Sequence, residues 1–270
     1  MKLRTEIEIP KASFQIAYSD RIALLGSCFS DNIARKLGEY YFQVTSNPTG
    51  TLYNPVSIAR HIDDPEIRDA DIFIITFGTS WIYMDKKIST VNYQLSTVDN
   101  CEKRPASDFI RHRLTVDEIL DVWTPILQSH PDKRFIFTVS PIRHLKDGLH
   151  ENNLSKAILL LAIEKMSIIN CQLSINYFPS YELLLDDLRD YRFYADDLMH
   201  PSSQAIEYIW ERFVATYMSA ATQSEMSELH ALWLNRQHRS LHPGSPEDQL
   251  FHSRLAEQLS SLQSRFPWLK

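Results

Sequence analysis

Glycine is scarce in this chain. Average usage of about 7% would give roughly 19 glycines in 270 residues, and there are 6. Each one is therefore expected to meet a backbone need, such as a tight turn or a close approach. Long apolar runs are also missing. The longest, Ala157 to Ile163, is bounded by Lys156 and Glu164 and is far too short to cross a bilayer. The start, Met1-Lys2-Leu3-Arg4-Thr5-Glu6, is polar, so no secretory signal is expected. Cysteine is limited to Cys28, Cys101 and Cys171. An odd number without close spacing argues against a disulfide framework or a zinc knuckle, and a reducing, cytoplasmic setting is the expectation. Positive charge is not in excess: 28 Lys and Arg stand against 34 Asp and Glu, a net charge of −6. Neither nucleic acid nor an anionic membrane is therefore expected as a partner.

What is present reads as an ordered α/β chain, 44% hydrophobic and 23% charged. Ile22 to Leu25 is a short apolar run ending in Gly26. A helical pattern through Ile33, Ala34, Leu37 and Tyr41 follows, with Ser30 or Asp31 as cap. Phe42 to Val44 is a second strand, and Pro55 to Ile62 a short helix with proline in its first turn. Asp71 to Phe77 is β-branched and apolar throughout, as expected of a strand buried on both faces of a parallel sheet. Tyr83, Ser89-Thr90-Val91 and Tyr93 suggest a hairpin excursion. Thr115 to Gln128 reads as a helix with a Thr115/Glu118 capping box. Phe135 to Val139 is a buried strand, Leu154 to Ile169 a helix, Leu173 to Phe178 a strand, Tyr181 to Leu188 and Gln204 to Met218 helices. Repeated strand-helix units predict an α/β/α arrangement around a mainly parallel sheet over residues 1–220. Residues 221–270 contain no strand pattern. Ser224 to Arg236 and Pro246 to Gln263 read as a helical extension packed on or beside that domain.

Sites in such sheets lie beyond the C-terminal strand ends. Three of the six glycines, Gly26, Gly50 and Gly78, fall there. Cys28 sits at a strand-to-helix turn, where the helix N-terminus favours a thiolate and backbone N–H groups can meet an oxyanion. Ser27 is a neighbouring candidate nucleophile. Without further context a buried small hydrophobe is the favoured reading of Cys28, and a simple turn residue the plain reading of Ser27. In Asp197-Leu198-Met199-His200-Pro201, an aspartate three residues before a histidine can hold one imidazole nitrogen and leave the other as a base. Gly50, Gly78 and Ser80 are candidate oxyanion donors. Arg143 and His144 follow the strand Phe135 to Val139. The His238/His242 pair lacks a third ligand and reads as loop, so no metal site is expected.

The chain resembles the GSCFA domain family, a group within the SGNH (GDSL-type) hydrolase-like superfamily. The resemblance starts at Leu25-Gly26-Ser27-Cys28-Phe29-Ser30, where Ser30 stands in place of the family's alanine. It continues through Thr51-Leu52-Tyr53-Asn54-Pro55, Thr76-Phe77-Gly78-Thr79-Ser80-Trp81, Asn100-Cys101 and Ser140-Pro141-Ile142-Arg143-His144. It closes with Tyr194-Ala195-Asp196-Asp197-Leu198-Met199-His200-Pro201-Ser202. The superfamily's G-D-S block falls on Gly26-Ser27-Cys28, which implies Cys28 in the nucleophile's place. Its glycine donor falls on Gly50. Its G-x-N-D block falls on Gly78-Thr79-Ser80-Trp81, with Ser80 replacing the asparagine donor. Its D-x-x-H falls on Asp197 and His200. The resemblance implies a three-layer fold and an acyl-ester hydrolase or acyltransferase, with an O-acylated carbohydrate or other small ester as the expected substrate. Arg143 and His144 would lie at the rim, and no cofactor would be needed. The alternative is a member that keeps the pocket and binds a glycan or acyl group without turnover.

Overall fold

The computed structural model describes residues 5–88, 93–99 and 104–269. Ser89-Thr90-Val91 of the expected hairpin and the Asn100-Cys101 motif lie outside them. In chain order the elements are β1 (Arg21–Gly26), α1 (Cys28–Glu39), β2 (Gln43–Ser46), α2 (Pro55–Arg60), β3 (Ile72–Phe77), β4 (Trp81–Asp85) and α3 (Tyr93–Ser96). Then come β5 (Phe109–Arg113), α4 (Val116–Ser129), β6 (Arg134–Val139), α5 (Gly148–Ile169), β7 (Ser174–Tyr177) and α6 (Ser180–Glu182). The chain closes with α7 (Ser203–Tyr217), α8 (Ala220–Gln237) and α9 (Pro246–Arg265).

Five strands form one sheet in the order β2-β1-β3-β6-β7, every pair parallel. Alternation along the central strands divides the core in two. Ile72 and Ile74 of β3, with Ile136 of β6, face α1, α7 and α8 through Leu37, Trp210 and Leu229. Phe73, Ile75 and Phe77, with Phe135 and Phe137, face α2, α4 and α5 through Ile58, Trp123 and Leu159. Successive side chains of a strand point to opposite faces, so a continuous apolar run feeds both layers at once. The result is the expected α/β/α sandwich. The helical extension joins the first layer: Met226, Leu229 and Leu232 of α8, Leu262 of α9, and Phe266 and Leu269 are all buried in the same core as α1 and α7. No helix among the described residues is long and apolar enough to cross a membrane.

Three local expectations are corrected. The strand containing Tyr83 pairs antiparallel with β5, in register Trp81↔Arg113 and Tyr83↔Arg111, and Tyr93 starts a helical turn instead. The Arg111 guanidinium lies 4.4 Å from the Trp81 ring centroid and 5.3 Å from that of Tyr83. These cross-strand cation–π contacts favour this partner. Helix α5 begins at Gly148, six residues before the apolar stripe, through a polar first turn. Tyr181 to Leu188 is not regular helix: α6 passes into a wide π turn over Leu183–Leu188, ending at Arg189 with φ of 51°.

Candidate active site

The sheet order reverses around β1, so the ends of β1 and β3 flank a crevice, the usual site position in such sheets. The chain leaves β1 through Gly26. Its φ is +138°, and a Cβ there would stand 2.2 Å from the Thr76 carbonyl oxygen, so only glycine fits. Ser27 caps α1 by accepting from the Phe29 amide at 3.3 Å. That makes Cys28 the first residue of the helix, half-buried and facing the crevice.

The other half of the site comes from the loop before α7. Ala195 donates to the His200 carbonyl at 2.8 Å, and Leu198 donates to the Ala195 carbonyl at 2.9 Å with φ of 58°. This tight turn folds Asp197 back on His200. One Asp197 oxygen accepts the Met199 and His200 amides, both at 2.9 Å, and the other meets His200 Nδ1 at 2.6 Å. His200 Nε2 stands 3.6 Å from Cys28 Sγ. A carboxylate against Nδ1 assigns the proton there and leaves Nε2 as the acceptor facing the thiol. The two backbone amides, then His200 itself, hold the Asp197 carboxyl down to about 2. It is ionised throughout the neutral range.

Burial pushes the Cys28 thiol above its ordinary value. The amides of Cys28 and Phe29 work the other way, and the charges of Asp31 and Asp197 raise it further. The thiol is thus neutral at rest, with two helix N–H groups near its sulfur and a base on its open side.

Ser27 does not share this position. Its hydroxyl is fully buried and donates to Ser140 Oγ at 3.0 Å while capping the helix. The expected oxyanion donors fare differently from Cys28. The Gly50 amide donates to the Asn47 carbonyl at 2.8 Å, and the Gly78 amide to the Tyr53 carbonyl at 2.8 Å. The Ser80 hydroxyl is fully buried and donates to Ser155 Oγ at 3.0 Å. These positions align with the superfamily blocks, but their donors are spent on the scaffold. Gly78 has a different use: a Cβ would come within 3.0 Å of the Tyr53 carbonyl oxygen and 3.5 Å of His144 Nε2.

Cys28 and His200 open into a cavity of about 770 Å³ bordered by Thr51, Tyr53, Asn54, Thr79, Trp81, Arg143 and His144, among others. Burial brings His144 down to about 4, helped by Lys156 and His200, so its ring is neutral. Its Nε2 is buried and has no hydrogen-bond partner among the described residues. Arg143 is tied to the His200 loop, its amide donating to the Met199 carbonyl at 3.2 Å.

Sequence reasoning missed Lys156. It is 1% exposed and donates to the carbonyls of Gly78 at 2.6 Å and Ser140 at 2.8 Å, joining the loops after β3 and β6. Burial pulls it down to about 7, and a neutral amine still has two N–H donors for the two carbonyls. The signal was present: Asn152, Lys156, Leu159, Ile163 and Met166 share the buried stripe of α5, a lysine where the spacing calls for an apolar residue. Among the described residues, no group of three or more His, Cys, Asp or Glu could hold a metal ion.

The model of the GSCFA family matches residues 21–65 and 64–213. No curated protein matches the sequence. Among solved structures, a GDSL-like lipase from Bacteroides thetaiotaomicron is similar at 11% identity and a TM-score of 0.46, covering 79% of this chain and 91% of its own. The acetylxylan esterase Axe2 from Geobacillus stearothermophilus is similar at 13% identity and a TM-score of 0.45, covering 75% and 96%. A carbohydrate esterase of family 3 from Talaromyces cellulolyticus is similar at 11% identity and a TM-score of 0.39, covering 72% and 94%.

Proposed function

The chain belongs to the GSCFA family, and from that premise we propose that it is an acyl-ester hydrolase or acyltransferase with Cys28 as nucleophile. One observation carries the reading: the Cys28 Sγ, His200 and Asp197 relay, with separations of 3.6 and 2.6 Å. His200 Nε2 takes the thiol proton as Cys28 Sγ attacks the ester carbonyl carbon. The tetrahedral oxyanion forms near the Cys28 amide at the start of α1. Collapse breaks the carbon–oxygen bond, and His200 returns the proton to the departing alkoxide. The acyl group is left on Cys28 as a thioester. Water or a second alcohol, deprotonated by the same histidine, then releases it. Asp197 holds His200 in the tautomer that accepts and stabilises the imidazolium. A thiol is a competent nucleophile once paired with such a base.

The alcohol portion is proposed to be hydroxyl-rich, as in an O-acylated carbohydrate. Tyr53, Trp81 and Tyr83 border the cavity together with Thr51 and Asn54, a mixture of apolar rings and polar groups that suits such a ligand. The test is peptide-mapped mass spectrometry after exposure to an activated acetyl ester at neutral pH, with turnover read from the same tube. The expected result is an acyl label on Cys28, or turnover, that is lost in His200→Ala. Label on Ser27 would move the nucleophile by one residue. Neither label nor turnover would leave a binding protein in place of an enzyme.

A further inference from the structure

The cavity wall next to the His200 loop holds a cation without an acid. The Arg143 guanidinium carbon lies 4.1 Å from the Tyr194 ring centroid and 5.2 Å from that of Tyr191. Among the described residues no carboxylate pairs with it. The acids bordering the cavity are each matched. Asp147 pairs with Arg111 at 2.5 Å, Glu151 with Arg113 at 2.7 Å, and Asp99 with His61 at 2.9 Å. Lys146 is the second cation there. It donates to the Tyr83 hydroxyl at 2.8 Å, and no carboxylate among the described residues meets it.

Rings packed against a guanidinium occupy its faces. Its N–H donors lie in the plane, arranged as a fork that matches a carboxylate. Hydrogen bonding to the Tyr191 and Tyr194 side chains takes part of its donor capacity, and a guanidinium with five N–H donors has others left for a ligand. From this we infer that Arg143, assisted by Lys146, is a receptor for a carboxylate on the substrate, so that the ester accepted at Cys28 carries a single negative charge. A single charge suits the wall better than a double one, because the paired acids Asp99, Asp147 and Glu151 border the same space. The inference deepens the ester reading and rests on it for the word substrate. The anion site itself stands on the geometry of Arg143. Its place in the reaction is to position, since the Arg143 amide anchors the loop that carries His200.

The test needs no turnover. Cys28 is alkylated with iodoacetate and, separately, with neutral iodoacetamide, and the ratio of the two rates is read by peptide mapping. Exposed Cys171 supplies the reference ratio within the same molecule. Asp31 and Asp197, which bear on Cys28, would by themselves set its ratio below that of Cys171. The expected ratio at Cys28 is instead higher, by about tenfold at low ionic strength, equivalent to about 1.4 kcal/mol. It should collapse in Arg143→Gln and be partly restored in Arg143→Lys, which keeps the charge without the fork. A Cys28 ratio at or below that of Cys171, or one that Arg143→Gln leaves unchanged, overturns the anion site. A ratio that behaves as expected in a protein that turns over no ester supports the anion site and sinks the ester chemistry alone.

Discussion

Cys28 faces the His200 ring as a thiol rather than a thiolate. Burial and two nearby carboxylates keep it protonated at neutral pH, so its alkylation by iodoacetamide should still be rising with pH where an ordinary cysteine, near 8.5, has levelled off. A rate already flat by about pH 7 would mean a resting thiolate–imidazolium pair and would refute this. Asp197 offers a sharper test. In Asp197→Asn the side-chain oxygen can still accept the Met199 and His200 amides, so the turn should survive. The new amide nitrogen would donate to His200 Nδ1, move the ring proton to Nε2 and block acceptance from the thiol. The expected loss in kcat is about 10³-fold or more, with little change in thermal midpoint. An equal fall in both would assign Asp197 to the fold alone.

The elements carry their own prediction at Gly26. Alanine there would meet the Thr76 carbonyl and require an unfavourable φ. Gly26→Ala should cost roughly 2–4 kcal/mol, read as a lower urea midpoint at unchanged slope. A shift below about 0.5 kcal/mol would show that the turn relaxes freely. Much of this level was legible in the sequence. Ile72 to Phe77 and Phe135 to Val139 announce themselves because both faces are buried, and the D-x-x-H string carries its own fold-back turn. Strand β5 was hidden, because Phe-Ile-Arg-His-Arg earns its pairing from arginines stacked on Trp81 and Tyr83 rather than from apolar alternation. The misread donors have another cause. Aligning Gly50, Gly78 and Ser80 with family blocks transfers a position along the chain, but not the direction of an N–H or a hydroxyl. That direction depends on partners such as Asn47, Tyr53 and Ser155, which no short motif includes. Cys28 and His200 do come together, at 3.6 Å, because the position of each is set by its own local segment, the Ser27 cap and the Asp197 fold-back.

At the scale of the whole molecule, the C-terminal helices contribute side chains to the core. Met226, Leu229, Leu232, Leu262, Phe266 and Leu269 cover the outer face of α1 and α7. Truncation after Ser219 should therefore abolish cooperative unfolding and yield aggregating protein. A soluble, cooperatively unfolding fragment would make residues 221–270 a separable domain. Lys156 sets a second global property. Its folded value near 7 lies below the 10.5 of an ordinary lysine, so between those limits the unfolded chain binds the extra proton. Stability relative to Lys156→Met should rise as pH increases from about 7 to 10, followed by urea titration at each pH. A difference that is flat or falling over that window would mean that the amine stays charged inside. The separation of the reactive pair has a consequence for biosynthesis. Cys28 and His200 are 172 positions apart, and the four remaining strands of the parallel sheet are made between them. Long-range parallel pairing forms late. A nascent chain thus carries Cys28 without its histidine partner through most of its synthesis, and the two side chains meet only once the sheet is complete.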